Sequence, residues 1–333
     1  MFATREPKPT VEREGRSLAA HQVLLQSRDP DEVAQGLSFL GADVIQLGRG
    51  PFQAAVQLVE LGPVVAIRVS LNRAVHTCGF RPNTFGFDLF TAVNQAGRMQ
   101  GRPLKAGQLS VIGPPGEWDH TTSTPYREHF NVSVDAESLR RSAEILHGVD
   151  VEKRFGSFRV VRPDATALGD LAAYLRRLFA QVRSQPGLLD LPDERKQLER
   201  RCIDKLLRTV FSGDLAPQEP RRIASHVEVA RRAVGFMLTR LDRTLSMEDV
   251  CQEVGMSERT LRYAFQDQFR VGPMAYFKMR KLAAVRHELK LAAADPVTVH
   301  AIARRWGFRH TGNFAKDYRR LFGELPGETL DRG

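Results

Sequence analysis

A chain of 333 residues, 42% hydrophobic and 26% charged, is long enough for two ordinary domains and excludes a disordered or collagen-like polymer. Its formal charge of +10 is unevenly placed: residues 221–333 hold 21 Lys and Arg against 13 Asp and Glu, whereas residues 1–220 hold 28 against 26. No apolar run reaches the roughly 18–20 residues that span a bilayer, and MFATREPKPTVEREGRS has no apolar signal core, so a cytoplasmic protein is expected.

Residues 1–16 read as a disordered tail. A short helix is expected over 31–40, where Ser27, Asp29 and Asp31 offer capping oxygens. Short β-type runs then follow at 52–61, 64–69, 84–90, 108–112 and 129–134. They are broken by Gly48, Gly50 and Pro51, by Gly62 and Pro63, and by the cluster from Gly113 to Gly116. Many short strands at this spacing predict an antiparallel barrel or sandwich. After Pro163 the apolar period becomes helical, through Leu168, Leu171, Leu175, Leu178 and Phe179, and again through Leu198, Cys202, Leu206, Leu207 and Val210. Such a helical hairpin can bury its stripe on the β domain or on a second copy of the chain, and a homodimer is the favoured reading. SGDLAPQEP, 212–220, is a polar, Pro-containing linker.

The last third contains an internal repeat. Val250 and Val254 precede Gly255, and Leu261, Phe265 and Phe269 follow it at four-residue steps. Ile302 and Trp306 precede Gly307 by the same distances, and Phe314, Tyr318 and Phe322 follow at the same steps, one residue later. Each copy reads as a short helix, a tight turn and a second helix packed on the first, the construction of a helix-turn-helix that enters the major groove of double-stranded DNA. Ser246 and Ser257 are placed to cap the two helices of the first unit. With Leu261 and Phe265 inward, Arg259, Thr260, Arg262 and Tyr263 fall on the outer face and are the expected base readers. In the second unit the outward positions are Thr311, Gly312, Asn313 and Lys316, with Asn313 the best candidate for an adenine contact. Between the units, Gly272 and Pro273 open a helix that can run to Ala294, about 33 Å, close to the ~34 Å repeat of B-DNA.

The stretches SMEDVCQEVGMSERTLRYAFQDQF, GPMAYFKMRKLAAVRHEL and VHAIARRWGFRHTGNFAKDYRRLFGELP resemble the AraC/XylS class of bacterial regulators over about 226–330. Within that class, SERTLRYAF and GFRHTGNFAKDYRRLFGELP are most similar to the subgroup of the ethanolamine-operon activator, and DPDEVAQGLSFLGADVIQLGRGPFQA is similar to its sensor region. The resemblance implies an α+β protein: a cupin-like effector barrel with the helical hairpin, then an all-α domain of two helix-turn-helix units joined by a long helix. It also implies promoter DNA as partner, activation through RNA polymerase, and an unidentified small-molecule effector. The corresponding division is a sensor domain over 17–160, the hairpin over 161–211, a linker over 212–222 and the DNA-binding domain over 223–333. Two positions depart from the class. Arg270 stands where Gly is common after the first recognition helix, so it either takes a left-handed conformation or the helix ends differently, and Gly312 stands where Ser is more usual.

Enzymatic chemistry finds no support in the residues. There is no phosphate-cradling loop with Lys-Ser/Thr, no GxSxG and no HExxH. His76, Cys78, His120 and His129 are metal ligands by type, but no HxH pair or facial set with a carboxylate is visible, so neither metal nor cofactor is expected. Cys78, Cys202 and Cys251 are widely spaced and read as buried thiols. Trp118, Phe85, Phe87 and Tyr126 are candidates for core or for lining an apolar effector pocket.

Overall fold

The computed structural model describes residues 21–90, 97–122, 126–217, 221–292 and 297–332. Its first half is two antiparallel sheets. The larger contains β1 (Gln22–Ser27), β3 (Ala54–Glu60), β4 (Val64–Leu71), β6 (Thr84–Phe90), β9 (Leu109–Ile112), β11 (Tyr126–Asp135), β12 (Phe158–Arg162) and β13 (Asp214–Leu215). Their order is β1-β3-β4-β11-β6-β9-β12-β13. The smaller contains β2 (Asp43–Gln46), β5 (Val75–Phe80), β7 (Gly97–Met99), β8 (Arg102–Pro103) and β10 (Glu117–Thr122), in the order β2-β5-β10-β7-β8. Among the described residues the two sheets face each other without joining into one closed barrel.

All five expected β runs are strands, but β1, β2, β5, β7, β8, β10, β12 and β13 were not anticipated. β5 and β10 read VHTCGF and EWDHTT, and the buried His76, His120, Thr121 and Thr122 disguise their alternation. β13 lies within the expected linker. It pairs with β12, and the Ala216 amide donates to the Val160 carbonyl at 2.7 Å, so this part of the linker is sheet.

Helix α1 (Pro30–Gly36) forms where expected, capped by Asp29, whose carboxylate accepts from the Asp31 amide at 2.9 Å. Two helices not anticipated, α2 (Ala136–His147) and α3 (Val151–Phe155), follow β11. The hairpin is α4 (Ala165–Ser184) and α5 (Pro192–Phe211). Leu171, Leu175, Leu178, Phe179, Leu206 and Leu207 share one core with Phe85, Phe87 and Phe130 of the larger sheet. The hairpin stripe is therefore buried within the chain. That corrects the expectation that it would seek a second copy: the outward face of β6 supplies the aromatic surface it needs.

The last third is helical: α6 (Arg221–Leu238), α7 (Met247–Val254), α8 (Glu258–Phe269), α9 (Pro273–Leu291), α10 (Val299–Arg305), α11 (Thr311–Phe322) and α12 (Pro326–Leu330). The N-terminal half of α9, with Tyr276 and Phe277, packs with α6, α7 and α8; its C-terminal half, with Leu282, Val285 and Leu289, packs with α10 and α11. One 19-residue helix thus belongs to both units. At 1.5 Å per residue it is about 28 Å long, shorter than the expected strut because it ends at Leu291. The expected end at Ala294 lies outside the described residues, as does the tail over 1–16.

Candidate nucleic-acid interface

In the first unit, Ser246 and Asp249 form a reciprocal cap. The Ser246 hydroxyl accepts from the Asp249 amide at 3.1 Å, and the Asp249 carboxylate accepts from the Ser246 amide at 2.7 Å, which holds its pKa below the ordinary value. Gly255 ends α7 with φ +66°, and Ser257 caps α8 through the Thr260 amide at 3.2 Å. Leu261, Ala264 and Phe265 are buried, so Arg259, Arg262 and Tyr263 stand exposed together on the opposite face. Thr260 is only half exposed, and its hydroxyl lies 2.9 Å from that of Ser257, which makes it part of the cap. The Arg259 guanidinium lies 5.5 Å from the centre of the Tyr263 ring, and Arg262 donates to Glu258 at 2.7 Å. Arg270 takes the left-handed conformation, φ 60°, ψ 15°, and ends α8 where glycine is the usual choice.

In the second unit, Thr298 caps α10, Gly307 (φ +76°) makes the turn and Gly323 (φ +80°) ends α11. Phe314 and Tyr318 are buried, leaving Gly312, Asn313 and Lys316 exposed along with Arg319 and Arg320. The two arginines extend the basic surface beyond the residues singled out from the sequence. Thr311 opens α11, but its side chain lies outside the described residues.

Sequence reasoning missed the seam between the two halves. Tyr276 lies 2.8 Å from His76 Nδ1 through its hydroxyl, and His76 Nε2 donates to Asp119 at 2.8 Å. Arg280 donates to Tyr276 at 3.0 Å and pairs with Asp43. Further along α9, Arg286 pairs with Asp29 and with Glu324, and Lys290 pairs with Asp29 and Asp31. Burial acts to raise the Asp31 carboxyl, but hydrogen bonds and charges from His287 and Lys290 outweigh it and hold its pKa low. The Gln46 side-chain amide donates to the Leu321 carbonyl at 2.7 Å, while Ile45 and Leu47 enter the core of the first unit. The available signal was DPDE at 29–32 set against Arg280, Arg286 and Lys290 on α9, but only the fold brings them together.

Between the sheets lies a cavity of about 90 Å³. Val33 of α1, Leu37 and Leu40 after it, and Val44 of β2 line one part; Ile67, Val69 and Leu71 of β4 and Trp118 of β10 extend the apolar lining. Of the four aromatic candidates, Trp118 lines this space, Phe85 and Phe87 point into the hairpin core, and the Tyr126 side chain lies outside the described residues. His120 and His129 also line it. Burial, aided by the nearby charge of His129, pushes His120 down to about 3. His76 is committed to the seam, and no three His, Cys, Asp or Glu side chains group as a metal site among the described residues.

Two turn-linked helix pairs on a common helix, each with an exposed basic recognition face, define a helix-turn-helix DNA-binding domain. A family model described as a helix-turn-helix domain matches residues 250–332. The XylDLEGF operon transcriptional activator 1 of Pseudomonas putida is 39% identical over 101 residues, which cover 30% of this chain and 30% of that protein. The probable thc operon regulatory protein of Rhodococcus erythropolis is 36% identical over 104 residues, 31% of each chain. A solved probable AraC family transcriptional regulator from Rhodopseudomonas palustris is 35% identical, covering 32% of this chain and 96% of that one, with a TM-score of 0.30. Over this domain the chain is similar to helix-turn-helix regulators of the AraC/XylS class. The matched segment spans about a third of the length of the two curated relatives. Among the described residues, no helix is long and apolar enough to cross a membrane.

Proposed function

We propose that this protein is a non-enzymatic, cytoplasmic, sequence-specific transcription activator that grips promoter DNA with α8 and α11 and responds to a small molecule held by its N-terminal domain. The observation that carries the reading is the joint exposure of Arg259, Arg262 and Tyr263 on a helix whose other face is locked by Leu261 and Phe265. Arginine forks suit guanine edges and phosphates, and the Tyr263 hydroxyl suits a backbone oxygen. On α11, Asn313 is assigned to an adenine edge, with Gly312 and Lys316 at the backbone and Thr311 at the helix start. Sequence choice rests mainly on the first unit, because the face of α11 is smaller. The sensor over 17–160, hairpin over 161–211, linker over 212–222 and DNA-binding domain over 223–333 divide these roles. RNA polymerase is the proposed partner on the promoter. The likeness of SERTLRYAF and GFRHTGNFAKDYRRLFGELP to the ethanolamine-operon activator supports a reading near that subgroup and names no ligand.

The test is a footprint on the DNA beside the protein's own gene, comparing wild type with an Arg259→Ala, Arg262→Ala double variant. Two protected patches about one helical turn apart are expected, with the variant losing the patch under the first unit. Diffuse protection that is equal for both proteins would instead mark a structural DNA binder without base readers.

A further inference from the structure

We infer that the cavity between the sheets binds an apolar organic monoanion, a carboxylate with a hydrophobic body, and that Arg81 is its anchor. This rests on the reading that the N-terminal domain holds a small molecule, and it assigns that molecule a chemical class.

Charge settles the class. Four titratable side chains line the cavity among the described residues: Arg81, Asp88, His120 and His129. Asp88 is fully buried and already accepts from His129 at 3.0 Å, Asn131 at 3.0 Å and Ser110 at 3.3 Å. Burial raises its carboxyl, but the hydrogen bonds from His129 and Asn131 outweigh burial and hold it low. His129 is thus matched to Asp88, and burial keeps His120 neutral at pH 7; Arg81 feels the charges of Glu60 and Asp135 but forms no ion pair with either, so it is the cation of the lining left for a ligand.

Geometry places Arg81 for that task. Its Nη1 atom is buried and, among the described residues, has no hydrogen-bond partner. A guanidinium N–H shut away from water without an acceptor carries a desolvation penalty that an incoming carboxylate would relieve. The Arg81 backbone is fixed on both sides, since its amide donates to the Gly116 carbonyl at 3.1 Å and its carbonyl accepts from the Thr84 hydroxyl at 3.0 Å. Below it, Thr84, Gly86 and Asp88 face the cavity in alternation along β6. At about 3.3 Å per residue, Asp88 lies about 13 Å beyond Thr84. Along this face only Gly86 stands between Thr84 and Asp88, and the apolar lining opposite is Ile67, Val69 and Leu71 of β4 with Trp118 of β10. A monoanion sits at the Arg81 end with its hydrocarbon along that wall. A dianion such as a phosphate monoester would bring a second charge that a single guanidinium leaves unmatched in a space already holding Asp88.

Gly86 supplies an independent probe. A Cβ at this position meets Asn131 Nδ2 at 3.8 Å and Ile112 Cβ at 3.9 Å, ordinary contact distances, so a larger side chain can extend into the cavity without displacing backbone.

The experiment is calorimetric titration of the purified full-length protein with 4-phenylbutyrate, decanoate and cyclohexanecarboxylate, each beside its neutral amide and up to 1 mM. Expected for wild type is saturable binding of at least one acid, at least tenfold tighter than its amide. Arg81→Gln should abolish that preference, and Gly86→Leu should abolish binding of both forms, with each variant's thermal transition confirming that it folds. Equal binding of acid and amide, a preference that survives Arg81→Gln, or no binding of any acid by folded wild type each overturns the assignment. Binding of an acid that leaves the promoter footprint unchanged sustains the assignment while removing the effector role from the proposed function.

Discussion

Asp29 and Arg286 are 257 positions apart in the chain, and their side chains meet across the seam, each about nine-tenths buried. The same carboxylate caps α1 and pairs with Lys290, so one residue holds the wall of the cavity and the helix shared by both helix-turn-helix units. Asp29→Asn keeps an oxygen for the cap but removes the charge. The variant should lose about 3 kcal/mol of unfolding free energy, because Arg286 is left partly uncompensated beside Glu324. Adding Arg286→Met should recover part of that loss in a urea titration. If the double variant is worse by the simple sum of the two single changes, the two residues are not coupled.

The repeat around Gly255 and Gly307 was readable because its determinants are local: capping serines, a turn glycine and an apolar step of four. The five β runs were readable for the same reason. The seam was not, since no local rule relates Asp43 to Arg280 or Gln46 to the Leu321 carbonyl. Asp29 read only as a helix cap, and nothing in the local pattern singled out Arg280 or Arg286 within the long helix. The face of β6 was also ambiguous. Phe85 and Phe87 suggest a pocket lining by type, yet the pleat turns them to the hairpin and leaves Gly86 and Asp88 facing the cavity.

His120 gives the stability a defined pH dependence. In the fold its pKa is pushed down to about 3, first by burial and then by His129, whereas the unfolded ring titrates near 6.5. The folded state thus binds fewer protons between these values. Its contribution is fully present above pH 6.5 and is lost as pH falls toward 3. At pH 5 the deficit is about 2 kcal/mol, one and a half pH units below 6.5. Asp31 and Asp88 are held below the usual carboxylate value of 3.8 and act below pH 5, leaving the interval from pH 7.5 to pH 5 clear of them. Urea titrations at pH 7.5 and pH 5 should show this loss in wild type and a flatter response in His120→Asn. An equal loss in both proteins would assign the effect elsewhere.

Arg270 and Gly255 make opposite predictions at equivalent backbone angles. Both end helices of the first unit in the left-handed region, at φ 60° and φ 66°. A side chain there costs about 1–2 kcal/mol, so Arg270→Gly should raise stability by about 1 kcal/mol after the added chain entropy of glycine is counted. Gly255→Ala should lower it by about 1 kcal/mol. Its Cβ would meet no atom within 4 Å, so backbone strain is the only cost. Thermal denaturation of the two variants checks the pair, and transitions moving in the same direction would contradict the left-handed cap at one site.

Glu258 restrains the reading face electrostatically. Its carboxylate holds Arg262 in an exposed pair one helical turn away, while the carboxylate also lies near the positive end of α8. Such a pair adds little stability in water, so Glu258→Gln should change unfolding free energy by less than about 1 kcal/mol. Its effect on DNA should be larger. With the carboxylate gone, Arg262 is free to reach a phosphate, and each phosphate newly neutralised steepens the plot of log affinity against log salt by about 0.9. The variant is therefore expected to bind nonspecific duplex more tightly at 50 mM salt, with a slope steeper by roughly one such increment, and to discriminate its operator less well. Fluorescence anisotropy at several salt concentrations measures both quantities on operator and on scrambled duplex. An unchanged slope with weaker operator binding would mean that Glu258 orients Arg262 toward a base edge instead of holding it back from the backbone.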